Sequence, residues 1–342
     1  IYTLRAISLE AWQNARITVQ KAFNGQSSDA VKAIYDQYIT TPLSQIFPEY
    51  HSRIKPLFVT GTDEQKSLLI IPNLKPFAAI NMVAEYAQPI SDTSYTYMFY
   101  QTTDGYYYKT LQSMFQDTTK GGPRSTALLN KYRYKSDDIE NPNETDPAKI
   151  VTSLNYNRRH STLDKISKGY FQNKFFEINI AQKAFYITET KTANVSPSIE
   201  SNKLNTKSYM DLVPLDNGDE PANLVEYYIN NQKEMDVSFP VSEKRSRRGK
   251  DLISLIAMSQ VDLTATVQGD TALSVGGLIY LEIPESHGFS LNKDDDLISG
   301  FFLITEKRDT VDAQGTYTTS LRLQKDSYHT SIDRDNRLRY DD

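Results

Sequence analysis

Val261-Asp-Leu-Thr-Ala-Thr-Val-Gln268 puts Val261, Leu263, Ala265 and Val267 on one side of an extended chain and Asp262, Thr264, Thr266 and Gln268 on the other. Successive strand side chains point to opposite faces, so this alternation predicts a strand with one dry face and one wet face. Leu278 to Ile283 predicts a second strand and Phe301 to Thr305 a third. In a fourth, Tyr317, Thr319, Leu321 and Leu323 share one face, while Thr318, Ser320, Arg322 and Gln324 share the other. Four such strands in close succession suit a small antiparallel barrel or sandwich.

Upstream of that block, residues 191–240 are rich in Ser, Asn, Lys, Asp and Pro, with one amphipathic piece from Leu224 to Ile229. They read as a long insertion, and a short helix over 250–259 follows. Phe171 to Ile180 and Ala184 to Thr190 read as two strands. Asp146-Pro147 predicts a helix start, because Asp caps and Pro is tolerated in the first turn. Ile150, Val151, Leu154, Leu163 and Ile166 would then form its apolar face. The clearest hairpin joins Tyr95–Tyr100 to Tyr106–Lys109 through Asp104-Gly105, a pair suited to a turn with positive φ. Leu111, Met114 and Phe115 suggest a short helix after it.

Nearer the start, Pro76–Ala87 reads as a helix. Pro56–Val59 and Leu68–Ile71 read as two short strands or a hairpin. Ser27-Ser28-Asp29 offers N-caps to a helix that Pro42 would stop. Residues 1–23 read as two β segments, and 329–342 as a charged tail without apolar periodicity. The fold class is therefore mixed, β-rich α+β.

Composition narrows the chemistry. The chain has 342 residues, with 38 basic and 43 acidic side chains and a net charge of −5, which argues against a protein that coats nucleic acid. It has no cysteine, so disulfides, thiolate catalysis and Cys-ligated metals are out. The four histidines are His51, His160, His287 and His329, too few for multi-His zinc chemistry. Neither a nucleophile elbow, nor a zincin helix, nor a phosphate-binding loop is spelled out. Asp294-Asp295-Asp296 lacks the spacing, glycine and terminal glutamate of a calcium loop and reads as a surface turn. No apolar run approaches the ~20 residues of a membrane span. No catalytic residue, metal ligand or cofactor is assigned.

Two clusters remain as candidate partner contacts. The basic run from Lys244 to Lys250 includes Arg245, Arg247 and Arg248, which could meet phosphates or an acidic partner surface, or simply form a solvated loop leading into a helix. The aromatic stripe over 95–108 includes Tyr95, Tyr97, Tyr106 and Tyr108. Tyrosine suits surfaces where one end of the ring is dry and the other wet, so an interface between subunits is expected there, with sugar stacking as the competing use.

Several segments, taken in order, resemble the central baseplate hub of contractile-tailed, T-even-like bacteriophages. They are Tyr2 to Arg16 with Ala22–Gly25; Lys75–Asn81 with the Tyr95–Leu111 hairpin; Val267–Asp270, Val275–Gly277 and Leu281–Pro284; and Ile298–Glu306 with Leu321–Tyr328. The resemblance implies tail-tube-like antiparallel β-barrel domains around an α/β middle region. On it, residues 1–24 are the last strands of an N-terminal barrel whose remainder precedes Ile1. Residues 25–170 are the α/β middle domain, and 171–328 are a second barrel using 171–190 and 260–328, with an insertion at about 191–259.

The resemblance further implies a structural role without an active site. A homotrimeric ring would adapt the sixfold tail tube, or a tube-initiator protein, above it to a trimeric spike below, and let DNA pass. The place would be the virion, after assembly in the host cytoplasm, with no membrane insertion. The alternative is a tail protein that binds or cleaves glycan or peptidoglycan.

Overall fold

Ser8 Oγ accepts from the Ala11 amide at 3.2 Å, capping the first helix, α1 (Leu9–Arg16). A helix therefore stands where the sequence predicted part of a β segment. In this computed structural model residues 4, 6–62, 67–85, 87, 89–90, 96–116, 130–134, 147–158, 161–180, 183–192, 203–205, 207–208, 224–230, 241–284, 295 and 297–328 are described. The charged tail, 329–342, lies outside them.

In chain order the strands are β1 (Val19–Gly25), β2 (Leu57–Val59), β3 (Ser67–Leu74), β4 (Tyr97–Gln101), β5 (Tyr106–Thr110), β6 (Lys131–Tyr134), β7 (Ile150–Arg158) and β8 (Gln172–Asn179). Then come β9 (Ala184–Lys191), β10 (Lys207–Ser208), β11 (Leu224–Asn230), β12 (Val261–Gln268), β13 (Leu278–Glu282), β14 (Gly300–Val311), β15 (Tyr317–Lys325) and β16 (Ser327–Tyr328). The further helices are α2 (Ser27–Tyr35), α3 (Thr41–Ile46), α4 (Pro76–Ala84), α5 (Leu111–Phe115), α6 (Thr162–Ser167) and α7 (Val241–Met258). The chain divides into two compact units. One comprises Ile1–Ser113, Gln172–Thr190 and Leu224–Asp251; the other comprises Met114–Phe171, Lys191–Asn223 and Leu252–Asp342.

The first unit has a helix–sheet core. Ala30, Val31, Ile34 and Tyr35 of α2 recur at helical spacing and are buried together with Ala79, Ile80 and Val83 of α4. Val19 and Phe23 of β1, Leu69 and Ile71 of β3, and Tyr97, Tyr106 and Tyr108 complete the cluster. Pro42 does not stop the helix. A π turn over Asp36–Thr40 carries the chain on into α3, and the Tyr38 carbonyl, which Pro42 cannot serve for want of an N–H, accepts from Gln13 Nε2 at 3.2 Å instead. The strands predicted over 56–71 do not form a hairpin: β2 runs parallel to β5, and β3 runs antiparallel to β1. With that pairing, Val19 and Phe23 bring the 19–25 segment into this core.

The second unit contains a closed barrel in the order β12-β15-β14-β13-β6-β7. All four strands predicted over 261–325 are present. Leu263, Ala265, Ile279, Leu281, Phe302, Ile304, Leu321 and Leu323 fill the interior. Each of the larger of these side chains contributes roughly 1.5–3 kcal/mol by leaving water. A barrel this narrow is plugged by its own side chains and is no channel.

Two expectations about the barrel are corrected. It is not wholly antiparallel, because β6 runs parallel to both β13 and β7. Its remaining strands are 131–134 and 150–158, not 171–190, which lie in a three-stranded sheet of order β11-β8-β9 in the first unit. The expected helix after Pro147 is strand β7. The register of β7 on β12 shifts between Thr266 and Val267, so Val151 and Ser153 oppose consecutive residues and Thr152 bulges out. That extra residue turns the spacing of two into three between Val151 and Leu154, which imitates a helical period.

Part of the expected insertion is stitched to the barrel. Asn205 Nδ2 donates to the carbonyls of Phe301 (3.1 Å) and Ser327 (3.0 Å), and its Oδ1 accepts from Phe301 N at 2.8 Å. Gly300, at φ +130°, makes room for it, since a Cβ there would run into the Asn205 amide. Lys325 is fully buried at the end of β15. Its Nζ donates to the carbonyls of Leu297, Ile298 and Ser299 at 3.0, 2.6 and 2.9 Å, and lies 4.8 Å from the centre of the Phe302 ring. Burial pushes the Lys325 ammonium down to about 7, while Asp295 and Asp326 favour its charge.

Candidate functional site

The tyrosine hairpin forms as predicted, with β4 antiparallel to β5 and Phe99 opposite Tyr108. Its turn differs from expectation. Thr102 N donates to Gly105 O at 2.8 Å across a four-residue loop, and neither Asp104 nor Gly105 has positive φ. Gly105 is needed for space instead: a Cβ there would press on Pro56 O and the Phe58 ring.

The face assignment is corrected more deeply. Tyr97, Tyr106 and Tyr108 are buried in the first unit's core and are not available to a partner; Tyr95 lies outside the described residues. Tyr106 sits among Tyr35, Phe77 and Phe99, with ring centres 5.5, 5.3 and 5.6 Å away. Tyr97 stacks on Tyr108 at 4.7 Å, and its hydroxyl donates to Gly61 O at 3.0 Å. Burial raises the Tyr106 phenol above its usual value, against the lowering contact with Ser8 Oγ. Burial likewise pushes Tyr100 up to about 12, so these hydroxyls stay neutral.

The rings on the opposite face are Phe58, Tyr107 and Tyr100. Phe58 stacks on Tyr107 at 4.9 Å, Tyr107 on Tyr100 at 5.5 Å, and Lys109 Nζ lies 4.9 Å from the Tyr107 ring centre. Phe58 is exposed and the two tyrosines are half-buried.

The basic run falls within helix α7 rather than in a loop. The side chains of Arg245, Arg247 and Arg248 lie outside the described ones. Of the aspartate triplet, Asp295 is described: its Oδ1 accepts from Leu297 N and Ile298 N, a local cap that holds the 295–299 turn. His51 Nδ1 pairs with Ser44 Oγ at 2.8 Å on the surface. Among the described residues no three His, Asp or Glu side chains gather as a metal site would, and no helix is long and apolar enough to cross a membrane.

Charged groups near the barrel are engaged in structure. Asp262 accepts from Arg322 Nε and Nη2 (3.1 and 2.6 Å) and from Asn157 and Gln324. Burial alone would raise its pKa, but these hydrogen bonds outweigh burial and hold it low. Asp270 accepts from Tyr132 Oη at 2.9 Å and pairs with Lys149 at 3.5 Å. It too is held below the usual range. A carboxylate tied down in this way is a poor general base.

Residue-by-residue reading missed a second face. In the β11-β8-β9 sheet, Phe176, Ile178, Phe185, Ile187, Val225 and Tyr227 point to one side, and five of the six are substantially exposed. The signal was present as alternation in three separate strands, two of them inside or beside the stretch read as insertion.

The class that fold and surface define is an α+β chain with a closed barrel and an exposed apolar sheet face. No family model and no curated protein matches the chain. Among solved structures it resembles a tail protein from Neisseria meningitidis, with 12% sequence identity and a TM-score of 0.50, over 92% of this chain and 72% of that one. At that identity the likeness is one of fold.

Proposed function

We propose that this chain is a structural tail protein of a contractile phage or a device of that descent, and within the tail a central baseplate hub. The observation that carries this is the fold likeness to a tail protein along nearly the whole chain, rather than over the barrel alone. The tied-down carboxylates and the extent of apolar surface fit a protein that works by geometry and not by catalysis. As a homotrimer it would present near-sixfold surfaces to the tube or its initiator and threefold surfaces to the spike. Because the barrel interior is packed, the passage for DNA would lie between protomers, where −5 per chain keeps phosphates from adhering. Its place would be the virion, after assembly in the host cytoplasm.

Native mass spectrometry of the full chain tests this, with a trimer as the expected species. A chain that stays monomeric at high concentration and binds neither tube nor spike protein would overturn it. The glycan-binding alternative loses Tyr97, Tyr106 and Tyr108, which are core residues, and would rest on the outer row of Phe58, Tyr107 and Tyr100; unchanged glycan retention after Tyr107→Ala would remove it.

A further inference from the structure

The β11-β8-β9 sheet inverts the usual pattern, because its large apolar side chains crowd the face that is open to water. One face is built into the first unit. Asn173, Phe175 and Glu177 of β8 and Thr190 of β9 are buried, and Asn173 Nδ2 reaches Gly249 O of α7 at 3.5 Å. The other face is open. Phe185, Phe176 and Tyr227, one from each strand, stack in a row with ring centres 5.7 and 4.8 Å apart. Tyr227 is 71% exposed, Phe185 56% and Ile187 54%, and Ile178 and Val225 flank them.

We infer that this open face is a contact surface between copies of this chain. The area is the first argument. At ~150–250 Å² for each aromatic ring, the exposed fractions sum to about 500 Å² of continuous apolar surface. That is at the upper end of what monomers leave open, and it matches the dry centre of an interface burying roughly 800 Å² per partner. Charge is the second argument. Each chain carries −5, so copies repel at a distance. Among the described residues the face carries Lys174, Glu189 and, at the end of β9, Lys191, and Lys174 pairs with Glu189 at 2.5 Å. With so little charge against −5 for the whole chain, this face is where two like-charged copies meet at least electrostatic cost.

The inference rests on the hub reading for its expectation of self-association, and the test separates the two. The full chain, Ile187→Glu and Tyr227→Glu are compared by sedimentation equilibrium, with circular dichroism as the folding control. Both variants are expected to keep their spectrum and to associate at least about 100-fold more weakly, since assembly would bury an unpaired carboxylate. The chain has no cysteine, so Ile187→Cys gives a single thiol. Its maleimide labelling should be fast in dilute monomer and slow in the assembled protein. An oligomer that survives both charge substitutions overturns this inference and leaves the hub reading standing. Slow labelling in the dilute monomer also overturns it, because another segment of the same chain then covers the face. A wild-type chain that is monomeric throughout overturns both.

Discussion

Replacing Tyr106 and Tyr107 one at a time tests the register of the aromatic hairpin, because neighbouring strand residues point to opposite faces. Tyr106 is 2% exposed and touches three other rings, those of Tyr35, Phe77 and Phe99. Tyr106→Ala should cost about 3–5 kcal/mol, the usual range for emptying a large aromatic from a core. Tyr107 is half-buried on the outer face, between Phe58 and Tyr100. Losing two surface stacking contacts should cost roughly 1–2 kcal/mol.

A selective probe is built in. The single tryptophan, Trp12, packs against the same core and lies 5.7 Å from Phe47. Its fluorescence in a urea titration reports the unfolding of this unit. With a slope of about 2 kcal/mol per molar urea, Tyr106→Ala should lower the midpoint by about 1.5–2.5 M, and Tyr107→Ala by under about 1 M. Equal shifts, or a larger one for Tyr107, would refute the assignment of faces.

Three further outcomes follow from the same physics. Leu263→Ala, in the centre of the barrel, should destabilise by about 2–5 kcal/mol in far-UV circular dichroism melts analysed for the barrel transition. Gly249→Ala should cost about 1–3 kcal/mol by urea titration, because the new methyl overlaps Thr190 Oγ1 and Asn173 Oδ1 and pushes α7 off its sheet. Lys325 has a folded pKa of about 7 against ~10.5 for an unfolded lysine. Between those values the unfolded chain holds a proton that the folded chain has released, so stability should rise from pH 7 to 9, and Lys325→Met should flatten that rise in urea midpoints.

Much of the barrel was readable because its strands alternate without interruption. Val261–Gln268 pairs residue for residue with 318–325, so Leu263 meets Leu323 and Ala265 meets Leu321 across the ladder. Strand β7 was not readable, because the bulge at Thr152 shifts its alternation and only the partner strand reveals why. The parallel placement of β6 was equally hidden, since a four-residue strand carries no mark of its neighbour's direction. For the candidate contacts, the tyrosine cluster was visible, but the face that it presents was not.

The sequence by itself determined that this is a β-rich α+β chain, where its regular strands run, and that thiolate and multi-histidine chemistry have no material. Alternation, turn residues and composition act locally, and a single chain displays them. Only the tertiary structure decided which strands close the barrel, that Tyr97, Tyr106 and Tyr108 face inward, and that Phe176, Phe185 and Tyr227 stack in a row on the outer face of their sheet. The physical reason is that an apolar stripe demands cover without naming what covers it. Helices α2 and α4 meet that demand for one sheet, and nothing among the described residues meets it for the other.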